Sequence, residues 1–162
     1  MPTIAAPATL CLGVVPRYRA LVTPLPDSAR ELLTSGRLAH CVTSNPDGEP
    51  QVSAVWVGMD GDEIVMAHLR EYRKVHNLRR DPRVALSLDS DDRNEIGMQY
   101  NLLVHGTATV TEGGAPELFQ QLVKVYGGPD VEFPLPPDPP PGFVVRITID
   151  RIGGIGPWAD PQ

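Results

Sequence analysis

Apolar and polar residues alternate with a period of two along much of this chain, and three short stretches switch to the three-to-four spacing of a helix. The first helical stretch carries Ala29, Leu32 and Leu33, with Asp27 placed to cap it and Gly36 to close it. Residues 38–44 then read as a strand, 45–50 as a turn, and 51–59 as a second strand bearing Val52, Val55 and Val57. Asp47-Gly48 is a strong hairpin signal, and Asp60-Gly61 leads into a further strand over 63–69, so three consecutive strands are expected to form a meander. In the second helical stretch Tyr72, Val75 and Leu78 form the apolar face, until Asp81-Pro82 removes a donor and disfavours helical geometry.

Strand alternation returns over 83–89, a polar loop is expected at 90–97, and 98–111 reads as a long strand in which Gly106 marks a bend or bulge. Pro116 opens a third helix with Leu118, Phe119, Leu122, Val125 and Tyr126 on one stripe, core or interface, ended by Gly127-Gly128. A last strand covers 143–149. About six strands with helices beside them predict a mainly β fold, a small antiparallel barrel with flanking helices, because closure removes exposed edges.

Composition narrows the classes. The 162 residues suit one domain, and 41% apolar with 21% charged residues is ordinary for a globular protein. The 18 prolines concentrate in the first 26 residues and in the run 134–141, which neither helix nor central strand accommodates. The expected division is a proline-rich arm at 1–26, a barrel domain at 27–155 and a tail at 156–162. Two cysteines, Cys11 and Cys41, make a disulfide framework improbable, and no clustered ligands suggest a metal. A cytoplasmic location is expected: the N-terminus lacks a basic start, and no segment reaches the roughly 20 apolar residues of a membrane span. A formal charge of −6 argues against general nucleic-acid binding.

Against that acidic background, six of the fourteen Lys and Arg residues fall between Arg70 and Arg83, in REYRKVHNLRRDPR. A cationic island on an acidic body suggests an anionic ligand. The alternative is that Arg79, Arg80 and Arg83 line a solvated helix face and pair with Asp81, Asp89 or Asp91.

The capped helix, the hairpin SNPDGEPQVSAVWV and the run RKVHNLRRDPRVALSLD together resemble the pyridoxamine-phosphate oxidase-like split β-barrel family over roughly residues 27–155. Within it the chain is most similar to an actinobacterial branch dependent on coenzyme F420, whose signature Lys74, His76 and residues 77–83 match. A histidine stands at 76 where an arginine is common, so one fixed cation becomes a side chain charged only when protonated. Glu71 adds a negative charge at the phosphate end.

The resemblance implies an FMN-binding-like homodimer that holds a flavin or deazaflavin in a groove between protomers, with the phosphate near residues 69–80. It implies a hydride-transferring oxidoreductase acting on a small unsaturated or quinone-like molecule. The alternatives are an FMN-dependent enzyme on the same barrel and a non-catalytic flavin, F420 or haem carrier. F420 bears a longer anionic tail than FMN, and six cations suit the longer anion. Arg70 and Lys74 are expected near the phosphate, His76 and Arg79 toward the tail, and Asn77 beside them. Gln51, Val52, Ser53, Ala54 and His68 are expected to meet the ring. Trp56 reads as core or dimer interface. Trp158 is either a lid over the partner's groove or a loose end, and Gly153, Gly154 and Gly156 form no dinucleotide fingerprint, because no helix follows. Hydride transfer needs little acid-base machinery from the protein, and Tyr100 is the candidate proton donor. The loop 90–97 and the proline run are expected to shape the pocket.

Overall fold

The computed structural model describes residues 19–20 and 25–159, so Cys11 and nearly all of the expected N-terminal arm lie outside the described residues. Eight strands and three helices follow in the order β1 (Arg19–Ala20), α1 (Asp27–Leu33), β2 (Ala39–Ser44), β3 (Pro50–Val55), β4 (Gly58–Asp60), β5 (Glu63–His68), α2 (Arg73–Arg80), β6 (Arg83–Arg93), β7 (Gln99–Glu112), α3 (Ala115–Gly127) and β8 (Phe143–Ile155). They form one antiparallel sheet in the path β3-β2-β6-β7-β8-β5-β4, with β1 paired to β8. Among the described residues no helix is long and apolar enough to cross a membrane.

The two ends of that path, β3 and β4, are separated in the chain by Trp56 and Val57 alone. Laid flat, seven strands would hold their outer members roughly 29 Å apart, whereas the three Cα steps from Val55 to Gly58 reach about 10 Å. The sheet therefore curls into a barrel split along one seam. This corrects the expected single strand over 51–59 and the expected meander: β3 pairs with β2, β4 pairs with β5, and β3 and β5 are not neighbours. At the seam the Tyr126 hydroxyl accepts the Val57 N–H at 2.8 Å and lies 3.0 Å from the Arg37 carbonyl and 3.2 Å from that of Val57. A side chain from α3 thus takes over backbone groups that a ladder would otherwise occupy.

Inside the curl, Cys41, Ile64, Met66, Leu86, Leu88, Leu102, Val104, Ile147 and Ile152 are buried in one cluster with Ala29 and Leu33 of α1. Alternation assigns the other face of β5 and β8 to α3, where Ala67, Ala115 and Leu122 form a smaller cluster backed by Trp56, Leu118, Phe119 and Val144. Gly106 sits at a register shift where β7 and β8 bend, with Asp150 the extra residue; a Cβ there would come within 2.5 Å of the Thr148 carbonyl oxygen.

Three further expectations change. Pro26, not Asp27, occupies the N-cap of α1, and Asp27 sits in the first turn, where a carboxylate favours the helix dipole. The loop expected at 90–97 shrinks to a turn around Asn94–Gly97, because β6 runs on to Arg93. Trp158 is neither lid nor loose end: it is 4% exposed, packed in the main core, and its indole N–H donates to the Asn101 carbonyl at 3.0 Å. The folded body spans at least Leu25, itself buried, to Trp158.

Candidate functional site

The helix α2 forms because Val75 and Leu78 share one face, both buried, and Asp81 leaves helical geometry before Pro82 as expected. Two positions depart from the expected pattern. Tyr72 precedes the helix and is 49% exposed, while Asn77, expected among the ligand contacts, is 3% exposed. The Asn77 amide donates to Thr43 Oγ1 and to Asn45 Oδ1, each at 3.0 Å, and Thr43 in turn donates to Gln51 Oε1 at 3.0 Å. Asn77 fastens α2 to β2 and the following turn, and Gln51 belongs to the same network, half-exposed on β3.

The cations divide by position. Arg83 pairs with Asp81 at 2.7 Å, holding that carboxyl below the usual carboxylate range; Arg80 donates to the Ser44 carbonyl, and Arg79 pairs with Glu71 and lies over the Phe143 ring at 4.9 Å. His76 is exposed, its Nδ1 3.7 Å from Glu71. By contrast, Arg70 and Arg73 are exposed with no ion-pair partner among the described residues. Lys74 is half-buried and likewise unpaired among them; burial lowers the pKa of its ammonium group, which lies 5.2 Å from the Tyr72 ring centroid.

Lys74 opens onto a cavity of about 280 Å³ bounded by β3, β5, α2 and α3. Ala54, Val55 and Trp56 line it from the β3 side, Ala67 and His68 from β5, Tyr72 and Lys74 from the start of α2, and Phe119 from α3. His68 is 7% exposed, and its Nε2 is buried without a hydrogen-bond partner. Burial, and then the Lys74 charge, pulls its pKa down to about 4, so the imidazole is neutral at pH 7. Ser53 Oγ, on β3, is a second buried polar atom without a partner. Opposite Ser53 stands Cys41, whose thiol burial pushes up to about 11 against the lowering effect of Lys74. Buried polar atoms are normally paired, and an unpaired one at the wall of a cavity, as His68 Nε2 is, fits a ligand that carries the missing partner. The strand β3 adds an edge that no other strand covers, with Val52 and Ala54 exposed.

The structure thus brings Ala54, His68 and Lys74 together around one cavity, with Ser53 beside Ala54 and Arg70 and His76 at the exposed surface. It does not bring Tyr100 or Trp158 there. Tyr100 packs edge-on against Trp158 with centroids 6.2 Å apart, and neither lines the cavity; nor does any residue of 90–97 or of the proline run. Sequence reasoning missed Tyr72 and Phe119 as lining residues. Phe119 had a signal, its place on the apolar stripe of α3, but nothing local tied that stripe to β3. Among the described residues no three His, Cys, Asp or Glu side chains converge as a metal site.

Several known structures share this arrangement of strands. An F420 reductase is 27% identical, with a TM-score of 0.63 over 76% of this chain and 94% of that one. A conserved hypothetical protein from Mycobacterium tuberculosis is 24% identical, with a TM-score of 0.61 over 84% and 87% of the two chains. An FMN-binding protein from Syntrophomonas wolfei subsp. wolfei, 14% identical, shares the fold with a TM-score of 0.60 over 82% and 86%. The family profile described as pyridoxamine 5'-phosphate oxidase matches residues 25–156, nearly the whole described body, and the chain belongs to that family of split β-barrels.

Proposed function

We propose that this protein is an F420-dependent reductase that delivers a hydride to a small unsaturated or quinone-like molecule. The observation that carries this reading is the cavity between β3 and α2, which half-buried Lys74 lines together with His68, whose buried Nε2 lacks a partner. The likeness to an F420 reductase, covering 94% of that chain, supports the deazaflavin over FMN.

In this reading Lys74, Arg70 and Arg73 hold the phosphate-bearing side of the cofactor, with His76 toward its acidic tail. Lysine supplies a compact charge and arginine a planar pair of donors, a mixture suited to phosphate followed by carboxylates. Neutral His68 and Ser53 hydrogen-bond the bound group, and the uncovered edge of β3 offers backbone N–H and C=O groups to a ring's polar margin. Trp56 and Phe119 exclude water from the same space. When bound, the deazaflavin supplies the hydride-carrying carbon, so no catalytic triad is required of the protein. A second copy of the chain completes the groove over β3, as the exposed Val52 and Leu38 suggest.

The test is a titration of the purified protein with F420 and, separately, with FMN. Saturable quenching of deazaflavin fluorescence at lower concentration than any flavin response is the expected result. Tight FMN binding with no response to F420 would transfer the protein to flavin chemistry.

A further inference from the structure

The segment between α3 and β8 is irregular and proline-rich, yet it is tied down at two places. Gln120 Nε2 donates to the Phe133 carbonyl at 2.8 Å, and the Phe133 N–H donates back to Gln120 Oε1 at 3.0 Å. At the far end the Gly113 N–H donates to the Gly142 carbonyl at 2.8 Å and the Ala115 N–H to that of Pro141 at 3.2 Å. The segment therefore doubles back along α3. Between the ties the prolines fix φ, so little chain entropy opposes this path.

The clip delivers an aromatic ring to a specific place. Phe133 lies edge-on against Phe119 with centroids 4.5 Å apart; Phe119 is 5.3 Å from Trp56, and Trp56 stacks on Tyr126 at 5.0 Å with 16° between planes. The Tyr126 hydroxyl is anchored at the barrel seam. A four-ring ladder thus runs from the proline segment to the split in the sheet, and its two middle rungs, Trp56 and Phe119, are cavity wall. Phe119 is not locked by α3 alone, because the residue is only half-buried. Phe133 supplies a further ring contact to it.

We infer that Phe133, clipped by Gln120, is a positioning residue that sets Phe119 as the aromatic wall of a ring subsite and so fixes the affinity for flat, oxygen-bearing ring systems. The chemistry of the wall defines the ligand class: aromatic side chains together with neutral His68 and cationic Lys74 suit a planar ring carrying carbonyl oxygens. The inference deepens the proposed function, since the ring subsite belongs to the same cavity.

The experiment uses the full chain and three probes: F420, lumichrome as a flavin-type ring without a phosphate, and inorganic pyrophosphate as an anion without a ring. Phe133→Ala is expected to weaken lumichrome binding about fivefold, the size of one lost aromatic contact, and to weaken F420 comparably. Pyrophosphate affinity stays unchanged, and Phe133→Tyr restores ring binding. Gln120→Leu, which keeps the ring but removes the clip, shifts lumichrome in the same direction by less. Equal F420 and lumichrome affinities in wild type and Phe133→Ala overturn the inference while leaving the F420 reading intact. Phe133-dependent lumichrome binding without F420 binding does the reverse. A uniform loss for all three probes, or no lumichrome binding by the wild type, also overturns it.

Discussion

The two ends of the cationic segment have the same residue types and different employment. Arg79, Arg80 and Arg83 at its end are already committed, to Glu71, the Ser44 carbonyl and Asp81. Arg70, Arg73 and Lys74 at its start have no ion-pair partner among the described residues, and Lys74 gives up hydration to stand at a cavity. The cations at the end of the segment find their partners within the chain, whereas in the proposed reading those at its start leave that role to the ligand. The difference also explains why the count of six cations overstates the charge presented to an anion.

The largest effect that sharpens this contrast comes from His68, beside Lys74. Its folded pKa of about 4 lies below the ordinary value of 6.5, so the unfolded chain takes up a proton in that window that the native state refuses. Stability from this group is unaffected above pH 6.5 and falls as pH drops toward 4, by about 3 kcal/mol in all. Denaturant midpoints measured from pH 7 to 4 follow this fall, and His68→Gln flattens it; an equally steep profile in the variant would remove the buried neutral imidazole from the site.

Next in size, Lys74→Ala weakens F420 binding about tenfold, the scale of one charge-assisted hydrogen bond, with little change in melting temperature. Added salt weakens wild-type binding in the same direction. A binding constant indifferent to both changes would break the division between the two ends. Smallest is Arg83→Ala: its pair with Asp81 is solvent-exposed, so affinity changes by less than about twofold and the unfolding midpoint hardly moves. A large loss of affinity there would mean that the end of the segment also meets the ligand.

Much of this was legible along the chain. The strand character of β2, β5 and β7, the apolar spacing of Val75 and Leu78, and the stop at Asp81-Pro82 are local matters of backbone sterics and side-chain period, and they appear where expected, while β6 begins where expected and runs on to Arg93. His68 and Lys74 were also legible as site candidates, because a strand end followed by a cationic helix places them side by side. The seam was not: the apolar run of Ala54, Val55, Trp56 and Val57 shows no break, and the feature that ends the ladder there, the Tyr126 hydroxyl, lies 69 residues from Val57 in the chain. Asn77 looked like one more polar surface position until Thr43 and Asn45 were found beneath it.

The sequence by itself determined a mainly β chain with three helices, a cationic island and the resemblance that the family match bears out. Only the tertiary structure decided which cations find an ion-pair partner among the described residues, that Trp158 is core, and that Phe119 of α3 lines a cavity with Lys74 of α2. The physical reason is range. Periodicity and turn chemistry act over a few residues, while the partner that neutralises a charge, satisfies an amide or covers a ring is supplied by packing between segments far apart in the chain.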